Sequence, residues 1–190
     1  MDFKTINELA TEVHKNAVAK GFWENNPSDE HFLCLVISEL MEAVEADRKG
    51  WHAKTELFKK NARHITADLE KRTAFRNSLN GYFEIYIKET IEDEISDAFI
   101  RLLDLAGARE YDLDHCHHLD VVTPKRTFTE NVYAIIQEVV KEGYTTFGHV
   151  LHSIQNIIKL AEILGFDLEY HVRLKMRYNA LREYKHGKAY

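Results

Sequence analysis

Glu39 and Glu42, and further along Glu94 and Asp97, are two carboxylate pairs with the same three-residue spacing. On a helix that spacing points both side chains of a pair the same way. Each pair interrupts an apolar stripe. Leu35, Glu39, Glu42 and Ala46 follow a 4-3-4 rhythm, and so do Ile87, Ile91, Glu94 and Ala98. If the two faces meet, four acidic groups share one partly dry space, where cations or protonation must relieve their repulsion. Oxygen ligands with no histidine or thiolate among them suit a hard cation, Mg²⁺ or Mn²⁺. Magnesium keeps waters and takes substrate phosphates as further ligands, so the cluster predicts a phosphorylated substrate. The C-terminal segment offers cations for those phosphates. Lys175, Asn179 and Arg182 share a helix face at 4-3 spacing, with Lys185 and Lys188 following. Lysine supplies a point charge, arginine a fork and asparagine a neutral donor, a set that fits a polyphosphate chain.

The elements that must position these groups read as helices. A first helix is expected from Phe3 to Lys20, stopped by Gly21. Ser28 caps a second helix that runs to Lys49, stops at Gly50 and carries the first acidic pair. Trp51 to Asn80 reads as an inserted helical excursion with a thin apolar face, and Asn80-Gly81 as a turn. A third helix, Phe83 to Ala106 with Gly107 after it, carries the second pair. Arg109 to Arg126 is irregular. Thr129 caps a helix from Glu130 to Lys141, another runs from Phe147 to Leu164 and ends at Gly165, and Asp167 opens a last helix toward Lys185. No period-2 run suggests a strand.

Composition sets the outer bounds. The chain has 190 residues, enough for one substantial core, and its 45% apolar and 29% charged fractions are those of a globular protein. The formal charge of −6 argues against a general nucleic-acid binder. Cys34 and Cys116 are too few for a disulfide framework and suit a reducing cytoplasm. No apolar run is long enough to span a membrane. Two prolines and eight glycines leave little punctuation, which favours helices.

Glu39 with Glu42, Glu94 with Asp97 leading into Ala98-Phe99-Ile100, and Lys175 with Asn179 together resemble the motifs of the MazG-like, all-α nucleoside triphosphate pyrophosphatases. The tail Tyr184-Lys185-His186-Gly187-Lys188 is similar to that group as well. The resemblance covers about half the chain. It implies one all-α helical-bundle domain over residues 1–190 and a helical homodimer or larger homo-oligomer. It also implies Mg²⁺-dependent cleavage of a (d)NTP between the α- and β-phosphates, giving a (d)NMP and pyrophosphate. The chain departs from the family in its long separation of Glu42 from Glu94 and in the length of its 109–146 stretch, so insertions are expected near 51–82 and 109–146. In the corresponding mechanism the four carboxylates hold the metal, and Glu39 is the candidate to orient the attacking water. Lys175 and Arg182 stabilise charge on the leaving pyrophosphate.

Other readings compete. The acidic residues are also consistent with two amphipathic helices whose carboxylates pair with Arg101 and Lys88. On the same scaffold, a non-catalytic nucleotide-sensing or oligomerisation module is the alternative function. A ferritin-like dinuclear centre wants Glu-x-x-His from two helices, which the sequence does not supply twice. Trp23 and Trp51 are candidates to stack on a base, while Phe32 reads as core. Cys34 reads as a small core residue. His115-Cys116-His117-His118 reads as an ordinary loop and His64 as a rim residue, since adjacent side chains diverge and no second ligand pair is at hand.

Overall fold

The computed structural model describes residues 3–63, 72–114 and 120–187. Among them the regular structure is helical, with no strand. The helices are α1 (Phe3–Ala19), α2 (Asp29–Lys49), α3 (Thr55–Arg63), α4 (Arg72–Tyr86), α5 (Ile91–Ala108), α6 (Phe128–Val139), α7 (Thr146–Leu164) and α8 (Leu168–Leu181). A short 3-10 turn, Tyr184–Gly187, follows.

Helix α5 is the axis of the fold, packing against α1, α2, α7 and α8. Ile91, Ile95, Ala98, Phe99, Leu102, Leu103, Leu105 and Ala106 are all buried on it. A helix apolar on so many sides is stable only inside others. Val36, Leu40, Ala43 and Ala46 supply the matching face of α2. Alanines on both helices let the backbones approach closely, which brings α2 residues near α5 residues of the same level. Truncating fully buried Phe99 to alanine would cost about 3–5 kcal/mol. A smaller second cluster of Phe58, Phe83, Ile87, Leu174 and Tyr178 joins α3, α4 and α8. It gives the inserted helices a core of their own.

Ser28 caps α2 as expected, accepting from the His31 N–H, and Gly50 ends it in the left-handed conformation. Gly165 ends α7 in the same way, and Asp167 caps α8. Five expectations need correction. The expected single helix from Phe83 to Ala106 is two helices, and Asn80-Gly81 lies inside α4 rather than in a turn. The break falls at Ile87–Thr90, where Glu89 has a φ of 61° and the Thr90 side chain accepts from the Asp93 N–H. Gly107 is not a stop but a residue of α5. A Cβ there would lie 2.5 Å from the Ala10 carbonyl oxygen of α1, so this glycine serves a close helix crossing. Helix α6 starts two residues earlier than expected, at Phe128, because Thr127, not Thr129, forms a capping box with Glu130. Helix α8 ends at Leu181, short of Lys185, because the backbone turns extended at Arg182.

The stretch after α2 is tied to the start of α5. The Ile91 N–H donates to the Trp51 carbonyl, and the Ala53 N–H donates to a Glu92 carboxylate oxygen at 2.8 Å. This staple aligns the acidic segments of α2 and α5. His64, Ile65 and Leu69, the His115–His118 run and Lys188 lie outside the described residues.

Candidate metal and phosphate site

Glu39 of α2 and Glu94 and Asp97 of α5 bring one carboxylate oxygen each to within 4.8 Å of one another. Glu39 and Glu94 are buried and Asp97 is half-buried. Glu42, the fourth expected member, is exposed one turn along α2. Its charge still reaches Glu39 and Glu94. The sequence pattern did not single out Asp93, yet it is 1% exposed and belongs to the same group. Its signal was the Thr90 cap, since a capped α5 puts Asp93 in the first helical turn. Glu92, Asp93 and Glu94 all lie in that turn, where the positive end of the helix dipole favours negative charge.

Two cations answer these carboxylates. The Lys175 ammonium, buried on α8, donates to Asp93 Oδ2 and stands 2.8 Å from Oδ2 of both Asp93 and Asp97. Arg101 donates through Nε at 3.2 Å and through a terminal nitrogen at 3.1 Å to one oxygen of Glu39. The pairing with Arg101 raised in the sequence is thus present, whereas Lys88 pairs with Glu89. Asp93 Oδ2 also accepts from the Glu89 N–H, while its Oδ1 is buried without a partner. Four carboxylates meet only two cations, so the acidic groups outnumber the positive groups that answer them. An all-oxygen donor set with an unmet buried oxygen beside it fits a hard metal ion.

Titration follows the burial. Loss of water pushes the Glu94 carboxyl up to about 9, with Asp93 adding to the rise and Lys175 opposing it. Burial and then Asp97 raise Glu39 above the usual carboxylate range, against the pull of Arg101. Burial pushes Asp93 up to about 6 in spite of Lys175. Burial works against the charge of Lys175, but Asp97 and Asp93 outweigh it and hold the ammonium above its ordinary value. Glu94 therefore carries a proton at neutral pH, which is how this packed cluster tolerates its own charge.

Comparison of the chain with protein-family models, with curated proteins and with solved structures finds no match.

The remaining candidate residues fall around this centre. Asn179, one turn beyond Lys175, lines a cavity between α1, α5 and α8. Arg182 turns back to donate to the His186 carbonyl at 3.1 Å. Trp23 stacks on Phe32 with ring centroids 4.2 Å apart and donates to Asp104, which also bonds His14. Trp51 is exposed under the Lys49 ammonium. Phe32 is core, as read from the sequence, but Cys34 is exposed on the opposite face of α2 and is not a core residue. Burial, reinforced by Arg182, Arg101 and Lys20, pushes the His186 imidazole down to about 4.

Proposed function

We propose that this chain is a MazG-like, Mg²⁺-dependent nucleoside triphosphate pyrophosphohydrolase that cleaves (d)NTP to (d)NMP and pyrophosphate in nucleotide-pool house-cleaning or control. The observation that carries the reading is the convergence of Glu39, Glu94 and Asp97 from two packed helices within 4.8 Å. The motifs Glu39/Glu42, Glu94/Asp97 and Lys175/Asn179 support it, as does the all-helical architecture. Glu39, Glu94 and Asp97 would hold the metal, with Glu42 at the rim. A bound Mg²⁺ or Mn²⁺ supplies Lewis acidity toward phosphate oxygens and a lowered pKa for water.

The chain's own groups do the rest. Arg101 holds one oxygen of Glu39, which fixes that carboxylate to orient a water and take its proton. Lys175 and Arg101 restrain the repulsion of the carboxylates and present fixed positive charge to a polyphosphate. Among the described residues no helix is long and apolar enough to cross a membrane. The reading includes a cytoplasmic homodimer or larger homo-oligomer. Tyr133 of α6 and Val140 just after it, 64% and 61% exposed, are apolar surface for such contacts.

One observation favours a second reading, a non-catalytic nucleotide-sensing or oligomerisation module. Lys175 already neutralises part of the cluster from inside the chain. A screen of common and damaged nucleoside triphosphates and diphosphates with Mg²⁺, products identified, separates the two. Pyrophosphate and a nucleoside monophosphate are expected. Tight nucleotide binding without product would select the module, and neither binding nor product would remove both.

A further inference from the structure

A cavity of ≈ 220 Å³ lies between α1, α5 and α8 under the C-terminal turn. At roughly 30 Å³ per water it has room for about seven waters, or for one fused or single ring system. Val13, Ala17, Phe22, Ile100 and Met176 make apolar walls. Two buried polar atoms of its lining residues have no hydrogen-bond partner, Oδ1 of Asn179 and Nε2 of His186. Buried polar groups of this kind are normally paired, so they mark a place where something else completes the bonding.

The charges around the cavity narrow the choice of occupant. Arg101 lines it but is bonded to Glu39, and Asp104 lines it but is bonded to His14 and Trp23. Both are already paired, and the Lys20 ammonium, also of the lining, is held by the Ala180 and Arg182 carbonyls, so the cavity itself offers a ligand no free ionic partner. An acyl chain would leave the Asn179 and His186 atoms unmet. A flat neutral heteroaromatic ring matches the apolar walls with its faces and the two polar atoms with its edge. Arg101 both lines the cavity and bonds Glu39, so a ring seated here is one side chain away from the acidic cluster.

The C-terminal turn that carries His186 is firmly docked. The Lys185 N–H donates to the Lys20 carbonyl at 3.0 Å, and the Lys20 ammonium donates to the carbonyls of Ala180 and Arg182. The Tyr184 ring occupies the space a side chain at Gly21 would need, and Gly21 has a φ of 82°. His186 meets the Phe22 ring edge-on at 5.1 Å. The wall is therefore built before any ligand arrives.

The geometry points to this cavity as the seat of the substrate's nucleobase, with Asn179 and His186 reading its edge. This rests on the pyrophosphohydrolase reading for the fate of the phosphates, but not for the binding of the base. The test is a titration of the five common nucleosides, without metal, into the protein with backbone amide shifts followed by NMR. Shifts at Ala17, Phe22, Asn179 and His186 for a subset of bases are expected, and their loss in Ala180→Phe, which enlarges a residue of the cavity lining. His186→Ala should lower kcat/KM for the preferred triphosphate roughly tenfold or more, mostly through KM, and His186→Gln should restore part of it. Nucleoside shifts lost in Ala180→Phe, from a protein that cleaves no triphosphate, would retain the base site and remove the catalytic reading. Triphosphate cleavage with unchanged base preference in Ala180→Phe and His186→Ala would overturn the base site and leave the catalytic reading standing. So would nucleoside shifts confined to other helices.

Discussion

Lys175 reaches from α8 to stand 2.8 Å from Asp97 on α5, and the same ammonium bonds Asp93 one turn earlier. This is a buried three-group network with its cation in the middle. Removing one partner of such a network leaves charge without compensation, a far larger effect than losing a surface pair.

Lys175→Met should destabilise the protein by about 3–5 kcal/mol in urea unfolding. Adding Asp93→Asn should recover part of the loss, because the amide needs no counter-charge. Additive costs for the two changes would show that the groups do not act together.

Metal should reveal itself through stability. Mg²⁺ at a hundredfold over its Kd stabilises a folded protein by about 2.7 kcal/mol. The thermal midpoint of the wild type should rise accordingly, and neither Glu39→Gln nor Asp97→Asn should show the rise. Near-normal Mg²⁺-dependent turnover in both variants would remove the proposed centre.

The Glu94 carboxyl is pushed up to about 9 from its ordinary 4.5, so the folded state holds a proton that the unfolded chain releases. Its contribution is fully present below about pH 4.5 and is lost as pH rises toward 9. Metal-free wild type should therefore lose stability across that window relative to Glu94→Gln. Metal must displace this proton, so Mg²⁺ affinity should rise with pH and binding should release protons, measurable by calorimetry in buffers of different ionisation heat. Parallel pH profiles for wild type and variant would contradict this assignment.

Gly107→Ala should push α1 from α5, because its Cβ would meet the Ala10 carbonyl oxygen at 2.5 Å. A loss of about 1–3 kcal/mol in chemical denaturation is expected. Wild-type stability would mean that the two helices separate without cost.

Periodicity in the sequence was enough to place α1, α2, α7 and α8, because each has a long apolar face and the last three also have clear capping residues. It missed the break before α5, since Ile87 and Ile91 continue the helical rhythm straight through it. What ends α4 is the left-handed Glu89 and the Thr90 cap, two local signals that an apolar stripe hides. Glu39, Glu94 and Asp97 were legible because carboxylates interrupt a buried face. Asp93 was not, because first-turn acidic residues are common and only its contact with Lys175 distinguishes it. Gly107 was misread because a glycine that permits a close crossing looks, in one dimension, like one that stops a helix.

Helix α8 faces two ways. Val172 and Met176 belong to the main core, while Leu174 and Tyr178 belong to the small cluster with Phe83. The Lys175 ammonium lies 5.6 Å from the centre of the Phe83 ring, so the inserted helices roof the charged centre. Trimming that roof would hydrate the ammonium and weaken its grip on Asp97, handing to a segment remote in the chain a control over how dry, and hence how strongly charged, the acidic centre is.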